Sequence, residues 1–359
     1  MTTSVKIGLM GYGFAGATFH APVIAHCGAP AQRPNEPYAC LAAIATSQPA
    51  KALADYPKAR AVPDLDALLA LDDIECVVIA TPNDTHFDMA AKVLHAGKHV
   101  VVDKPVTLSA AEAVTLARLA QERNLVFAPF HNRRWDGDFL TVRQLLAKGT
   151  LGRVAHYESH FDRFRPQVRE RWREQASRGG GLLFDLGPHL IDQALVLFGP
   201  PETVYATVKV HRDGAGAADY VHLLLSYPDK EAVLHASALC AIEPPRFAIH
   251  GTLGSYVKYG LDTQEDQLKA GLRPGNAGFG ADNPPATLRV LEGEREIERQ
   301  WPTLTGAYPE FYRALAASIR DGEPFPVSPQ DAVDVMTIIE FAERSAREGR
   351  RLRFERIGA

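Results

Sequence analysis

Cysteine is scarce: the chain of 359 residues has four, at Cys27, Cys40, Cys76 and Cys240, with no Cys-x-x-Cys pair. That spacing argues against a disulfide framework and a thiolate zinc site, and it fits a reducing cytoplasm. No run reaches the ~18 apolar residues of a membrane span, and the N-terminus enters a strand pattern without a basic region and long apolar stretch. Charge of one sign is lacking too. A net charge of −4 implies no broad attraction to nucleic acid or to an anionic membrane. The arginines between Phe164 and Glu174 are interleaved with acids and read as solvated or salt-bridged surface. There is no internal repeat. The 46% hydrophobic and 23% charged content is that of an ordinary soluble globular protein. A cytoplasmic protein of about two domains is expected.

The first 130 residues alternate strand and helix. Strands are read at Val5 to Met10, Tyr38 to Ala45, Cys76 to Ala80, His99 to Val102 and Leu125 to Pro129, with helices at Thr18 to His26 and Thr85 to His95. Strands separated by helices imply right-handed crossovers, hence a parallel sheet covered on both faces. The Pro-rich loop from Gly28 to Pro37 is longer than a helix-to-strand connection needs. After about residue 130 the texture changes. Val154 to Asp162, Thr203 to Val210, Tyr220 to Ser226, Ala232 to Ala238 and Tyr256 to Tyr259 read as strands without long helices between them. That pattern predicts a mainly antiparallel sheet and an α+β second domain, so the expected division is 1–130 and 131–359. Two helical stretches close the chain, and Ser328-Pro329-Gln330-Asp331 offers the last one an N-cap, an early proline and an acid at N3. Gly271 to Pro285 is a Gly/Pro-rich loop with no assignable chemistry.

Gly11-x-Gly13-x-x-Gly16, enclosing Phe14 and Ala15, follows a strand and precedes a helix. Glycines there permit a tight turn and bring backbone N–H groups close to a pyrophosphate at a helix N-terminus. NAD and NADP are usually separated by an acid at the end of the second strand. Glu36 has about the right spacing but precedes that strand, which ends Ile44-Ala45-Thr46-Ser47 with Lys51 a turn later. Hydroxyls plus a cation suit a 2′-phosphate, so NADP is favoured over NAD. Thr46 and Ser47 could equally cap the next helix. Thr81-Pro82-Asn83-Asp84-Thr85-His86 lies at the carboxyl end of another strand, where open α/β sheets bind ligands; Thr81, Pro82, Asn83 and His86 are candidate cofactor contacts.

Lys104, in Asp103-Lys104-Pro105, sits at the carboxyl edge of the sheet, and a cation there could stabilise a developing alkoxide. The bond before Pro105 is a candidate for cis. Asp185 and His189 are spaced i, i+4 and share one face if helical. Gly179-Gly180-Gly181 before them would let backbone approach a ligand. A histidine titrating near neutrality is the natural proton acceptor when an alcohol loses hydride, and Asp185 could orient the substrate hydroxyls. On a strand, His156, Glu158, His160 and Asp162 share a face by the period of two. A polar sheet face or substrate contact is preferred there to a metal, and no metal site is expected.

These blocks together resemble the glucose–fructose oxidoreductase, inositol dehydrogenase and rhizopine catabolism oxidoreductase family, over essentially the whole chain. That family's Glu-Lys-Pro appears as Asp103-Lys104-Pro105, and its Asp-x-x-x-His is matched by Asp185 and His189. A narrower resemblance, to NADP-dependent scyllo-inositol dehydrogenases, rests on five longer blocks. They are His131 to Asp136, Phe161 to Pro166, Arg171 to Glu174, His189 to Gln193 and Tyr256 to Asp266. It implies cofactor contacts from Asp103, Lys104, Asn132 and Arg133, and substrate contacts from Asp162, Arg163, Asp185 and His189. Lys104, Asp185 and His189 would be the catalytic three. It also implies a second domain whose open sheet mediates a homodimer or homotetramer. The expected activity is reversible NADP-linked oxidation of a secondary hydroxyl on a cyclic polyol or sugar, scyllo-inositol being the first guess. Rival readings are a related aldose, sugar-lactone or dihydrodiol dehydrogenase and, since the family contains a non-catalytic sugar-pathway repressor, an NADP-sensing regulator.

Overall fold

In the first sheet the apolar runs are buried from both sides. Val5, Ile7 and Leu9, Cys76 to Ile79 and Val100 to Val102 lose essentially all contact with water. Such continuous burial is the signature of parallel strands covered by helices on both faces. The computed structural model describes residues 4–27, 38–282 and 285–358. Its first six strands are β1 (Ser4–Met10), β2 (Tyr38–Ala45), β3 (Arg60–Val62), β4 (Cys76–Ile79), β5 (His99–Val102) and β6 (Phe127–Pro129). They form one sheet in the order β3-β2-β1-β4-β5-β6, every pair parallel. This is the dinucleotide-binding order, with its reversal point between β1 and β4.

A second sheet takes up nine strands: β7 (Val154–His160), β8 (Thr203–Lys209), β9 (Tyr220–Ser226), β10 (Glu231–Ser237), β11 (Phe247–Gly251), β12 (Gly254–Lys258), β13 (Ala286–Glu292), β14 (Arg295–Trp301) and β15 (Leu352–Arg353). Their order is β14-β13-β12-β11-β7-β10-β9-β8-β15, antiparallel except for β7 beside β10. One face carries Tyr157, Phe161, Leu223, Leu225 and Leu234 and is covered by the helices Gly187–Phe198 and Pro329–Glu348. The opposite face presents His156, Glu158, His160, His222 and His235, all partly exposed. An α/β dinucleotide-binding unit joined to an α+β unit with a mainly antiparallel sheet is the fold class expected.

Three local differences have physical reasons. The first helix begins as a wide π turn at Gly16–His20 and becomes α-helical at Ala21–Cys27, because the glycine loop sets its first turn. Helix Gly137–Ala147 precedes the strands of the second half and Gly187–Phe198 interrupts them, the latter buried along most of its length and so without a clear polar face to mark it by pattern. Asp185 and His189 do not share one regular helix: a short turn, Leu182–Asp185, breaks at Leu186 before the helix carrying His189. Ser328 caps the last helix by accepting from the Asp331 N–H at 3.2 Å, while Asp331 accepts from the Ser328 N–H at 2.6 Å. Glu36 and the 28–37 loop lie outside the described residues.

Candidate active site

The glycine loop leaves β1 at the reversal point. A Cβ on Gly16 would lie 2.0 Å from the Gly11 carbonyl oxygen, so close packing demands glycine there. Gly13 is different: nothing stands within 4 Å of where its Cβ would be. Open space over Gly13, flanked by loop N–H groups, fits the pyrophosphate of a dinucleotide. Gly13→Ala is therefore expected to keep the wild-type melting temperature and to lose roughly tenfold or more in nucleotide affinity. Gly16→Ala should lower both. Unchanged affinity in a stably folded Gly13→Ala would place the phosphates elsewhere.

At the end of β2 the Ala45 carbonyl accepts the Gly11 N–H at 3.0 Å, which sets the two loops side by side. Thr46 is buried, and its hydroxyl accepts the Gln48 N–H at 3.0 Å, the local cap that its position allowed. Ser47 and Lys51 are exposed, and neither side chain is hydrogen-bonded or ion-paired among the described residues. Lys51 Nζ hangs 5.8 Å from the centre of the Tyr12 ring, over the first glycine turn.

Thr81 to His86 braces the site more than it lines it. Asn83 donates to the Gly179 carbonyl at 2.8 Å, and Asp84 pairs with Arg178 at 2.9 Å. Buried His86 contacts the Pro105 and Thr81 carbonyls at 2.8 and 2.9 Å. Thr81 shares a 2.7 Å hydroxyl contact with Thr85. One strand over, Asp103 accepts the Lys104 N–H at 2.7 Å, and the Lys104–Pro105 bond is cis.

Lys104 reaches across to the second sheet's helical layer. Its Nζ donates to Asp185 Oδ1 at 2.9 Å and to the Asp185 carbonyl at 2.5 Å. Arg173 Nε stands 3.8 Å from the same Oδ1. His189 lines the same cleft, its ring inclined 27° to that of Phe161, and its Nδ1 has no hydrogen-bond partner. The cleft measures about 430 Å³. It gathers Phe14, Ala15, Asp103, Lys104, Asn132, Arg133, Arg163, Asp185 and His189 from the sequence candidates. Asp162 is not among them: it faces the other way, 3.2 Å from His160 and 3.5 Å from His235, on the histidine-bearing face. Among the described residues no group of histidine, cysteine and carboxylate side chains is placed to hold a metal ion.

Electrostatics sharpen these roles. Burial, helped by Lys104 and Arg133, pushes the His189 imidazole well below its usual titration range, leaving it neutral, with a free ring lone pair, at pH 7. Burial would raise Asp185, but Lys104, Arg173 and Arg163 outweigh it and hold the carboxyl well below its usual value. Asp103 is likewise resisted by burial and held at about 2 by His20, Lys104 and His86. A carboxyl titrating lower in the folded chain than in the unfolded one stabilises the fold above the unfolded pKa, and loses that contribution as pH falls through the folded one. Asp103→Asn should thus cost on the order of 2 kcal/mol near neutrality, a difference that shrinks steadily from about pH 4 towards pH 2. Denaturant unfolding at several pH values reads it. A difference independent of pH would show that the charge of Asp103 is not what stabilises.

Sequence reasoning missed several lining residues: Phe19, Phe130, Leu186, Arg165, Arg169, Arg171, Arg173, Glu265 and Lys269. The arginines are the largest correction. They line the cleft instead of dispersing over the surface, and between residues 163 and 173 five arginines face one acid, Glu170. That local excess was the available signal. Gly179 to Gly181 explains their placement. A Cβ on Gly180 would lie 2.5 and 2.6 Å from the Gln175 and Arg173 carbonyl oxygens, so the glycines admit the arginine loop and not a ligand.

Fold and cleft together define a dinucleotide-binding oxidoreductase. Residues 5–131 match the GFO/IDH/MocA oxidoreductase family's NAD-binding Rossmann fold and residues 143–354 its C-terminal alpha/beta domain, and the chain belongs to that family. Two curated relatives illustrate the neighbourhood. The chain is 46% identical to the uncharacterized oxidoreductase YdgJ of Escherichia coli K12, over 97% of this chain and 98% of YdgJ. It is 38% identical to scyllo-inositol 2-dehydrogenase (NADP(+)) IolW of Bacillus subtilis, over 98% of this chain and 96% of IolW. Among solved structures, the YPO2259 protein of Yersinia pestis superimposes with a TM-score of 0.92 at 44% identity, covering 99% of this chain and 98% of the other. The yvaA protein of B. subtilis gives 0.92 at 37%, covering 98% and 99%. No single helix among the described residues is long and apolar enough to cross a membrane.

Proposed function

We propose that this chain is an NADP-dependent dehydrogenase that oxidises a secondary hydroxyl of a cyclic polyol or sugar, reversibly. One observation carries the reading: Lys104, Asp185 and a neutral His189 from separate elements converge in a cleft that begins at the glycine loop. The dinucleotide, when bound, supplies a hydride acceptor at its nicotinamide. Residues of this chain do the rest. His189 takes the hydroxyl proton on a ring nitrogen, Lys104 steadies the oxygen as negative charge develops, and Asp185 orients the ring hydroxyls while holding Lys104 in place. The loop Gly11 to Gly16 binds the pyrophosphate, and Asp103, Asn132 and Arg133 complete the nicotinamide end. Ser47 and Lys51, unengaged beside the glycine turn, would take the 2′-phosphate of NADP. A homo-oligomer formed through the open sheet face and a small-molecule substrate complete the reading, with scyllo-inositol, on which IolW is named to act, the first compound to offer.

Absorbance of reduced nicotinamide, with inositol isomers and common sugars offered in turn with NADP and NAD, tests it. Turnover of scyllo-inositol with NADP supports substrate and cofactor together. Turnover with NAD alone would remove the role given to Ser47 and Lys51 and leave the catalytic three standing. NADP binding without turnover of any polyol would favour a sensing protein.

A further inference from the structure

The cleft holds more positive charge than hydride transfer to a neutral polyol requires. Arg171 pairs with Glu174 at 3.0 Å, and Arg133 pairs with Glu265 at 2.5 Å and with Asp136 at 3.2 Å. Arg163 and Arg165 are different. Among the described residues neither guanidinium makes a hydrogen bond or an ion pair, although both are partly buried and line the cleft. Arg163 rests 5.1 Å from the centre of the Phe161 ring, which also has Arg133 at 4.8 Å and Arg246 at 5.4 Å, two more cations. Burial lowers the affinity of Arg165 for its proton, and Arg163, Arg171 and Arg169 lower it further. Asp185 and Glu265 offset part of this for Arg163, and Asp185 for Arg165, but burial prevails, and guanidiniums so withdrawn from water gain from a further anion.

Position says which anion. A recess of about 30 Å³ shares Arg163, Arg165, Arg171, Arg173 and Asp185 with the cleft but includes no residue of the glycine loop. These arginines therefore line, beside Asp185, both the cleft and a recess off it that no residue of the glycine loop lines. Given the dehydrogenase reading above, on which this rests, the geometry points to a substrate that carries an acid group, carboxylate or phosphate, gripped by Arg163 and Arg165 while its hydroxyl meets Lys104 and His189. Guanidinium suits either acid because its fork of donors can hold two oxygens at once.

Matched pairs of substrates test this with the purified full chain and NADP: D-glucose against D-glucuronate, and myo-inositol against myo-inositol 1-phosphate, with scyllo-inositol as reference. The acid of at least one pair is expected to show the higher kcat/KM. Arg163→Gln and Arg165→Gln should each cut that preference by about 10- to 100-fold, the usual weight of a hydrogen bond to a charged group. NADPH affinity, read by fluorescence, should hold in both variants, and Arg163→Lys should restore part of the preference. Loss of NADPH affinity with the preference intact would overturn the proposal and assign both arginines to the cofactor's phosphates. Oxidation of scyllo-inositol with neither acid accepted would overturn the anion site and leave the dehydrogenase standing. Silence with every compound would overturn both.

Discussion

Replacing His189 with alanine is expected to lower polyol oxidation by about 10²- to 10⁴-fold, the usual contribution of a positioned acid–base group. The ring is 5% exposed and lines the cleft with Lys104 and Asp185. Burial and the neighbouring cations keep it neutral where free imidazole would be partly protonated. It therefore keeps an unprotonated ring nitrogen for the hydroxyl proton, and kcat/KM for oxidation should hold to well below pH 6.5 before its acid limb begins. NADPH binding should survive, because His189 belongs to the helix Gly187–Phe198 in the layer over the second sheet. Near-normal turnover in His189→Ala, with nucleotide bound, would take the histidine out of the chemistry.

Lys104→Ala should cost about 10²- to 10³-fold in kcat, the range for losing one preorganised donor at a developing oxyanion. Among the described residues the ammonium is the one side-chain cation within 3 Å of the Asp185 carboxylate, Arg173 standing off at 3.8 Å. Removal also leaves Asp185 with weaker compensation in a low-dielectric cleft, which adds a stability loss to the catalytic one. The diagnostic is the split between parameters: kcat should fall much further than the affinity for NADP. Equal loss of both would recast Lys104 as a binding residue.

How much of this could be read from residues alone differs from element to element. The strands of the first sheet were legible because burial on both faces leaves near-continuous apolar runs such as Cys76–Ile79. The edge strand Arg60–Val62 was not, being three residues long with an exposed arginine. Strand Arg295–Trp301 escaped for a related reason: its Glu296, Glu298 and Arg299 pair with Arg289 and Glu292 in solvent, where no apolar alternation is needed, while Ala286–Glu292 was missed although Ala286, Leu288 and Val290 alternate into the core. Helix Ala110–Glu122 was missed although Ser109 and Glu112 form a full capping box at its start.

At the site, Lys104, Asp185 and His189 stood out by residue type and spacing. Their meeting did not depend on the i, i+4 geometry that drew notice, since the helix breaks at Leu186 and Asp185 turns its carbonyl and carboxylate towards Lys104. The arginine loop was misread because its charges look solvated in one dimension. Gly180, which lets the Arg173 and Gln175 carbonyls pack against its Cα, holds that loop against the cleft, while Gly179 and Gly181 fit against Leu108 and Ala218.

The most direct measurement follows the hydride itself. The full chain would be mixed with NADP and scyllo-inositol carrying deuterium on its ring carbons, and the reduced nucleotide examined by mass spectrometry. One deuterium in the reduced nicotinamide for each polyol oxidised is the expected result, with His189→Ala slowing its appearance. Bound NADP that never acquires label, from this polyol or from any deuterated sugar, would contradict a hydride-transferring role for the cleft.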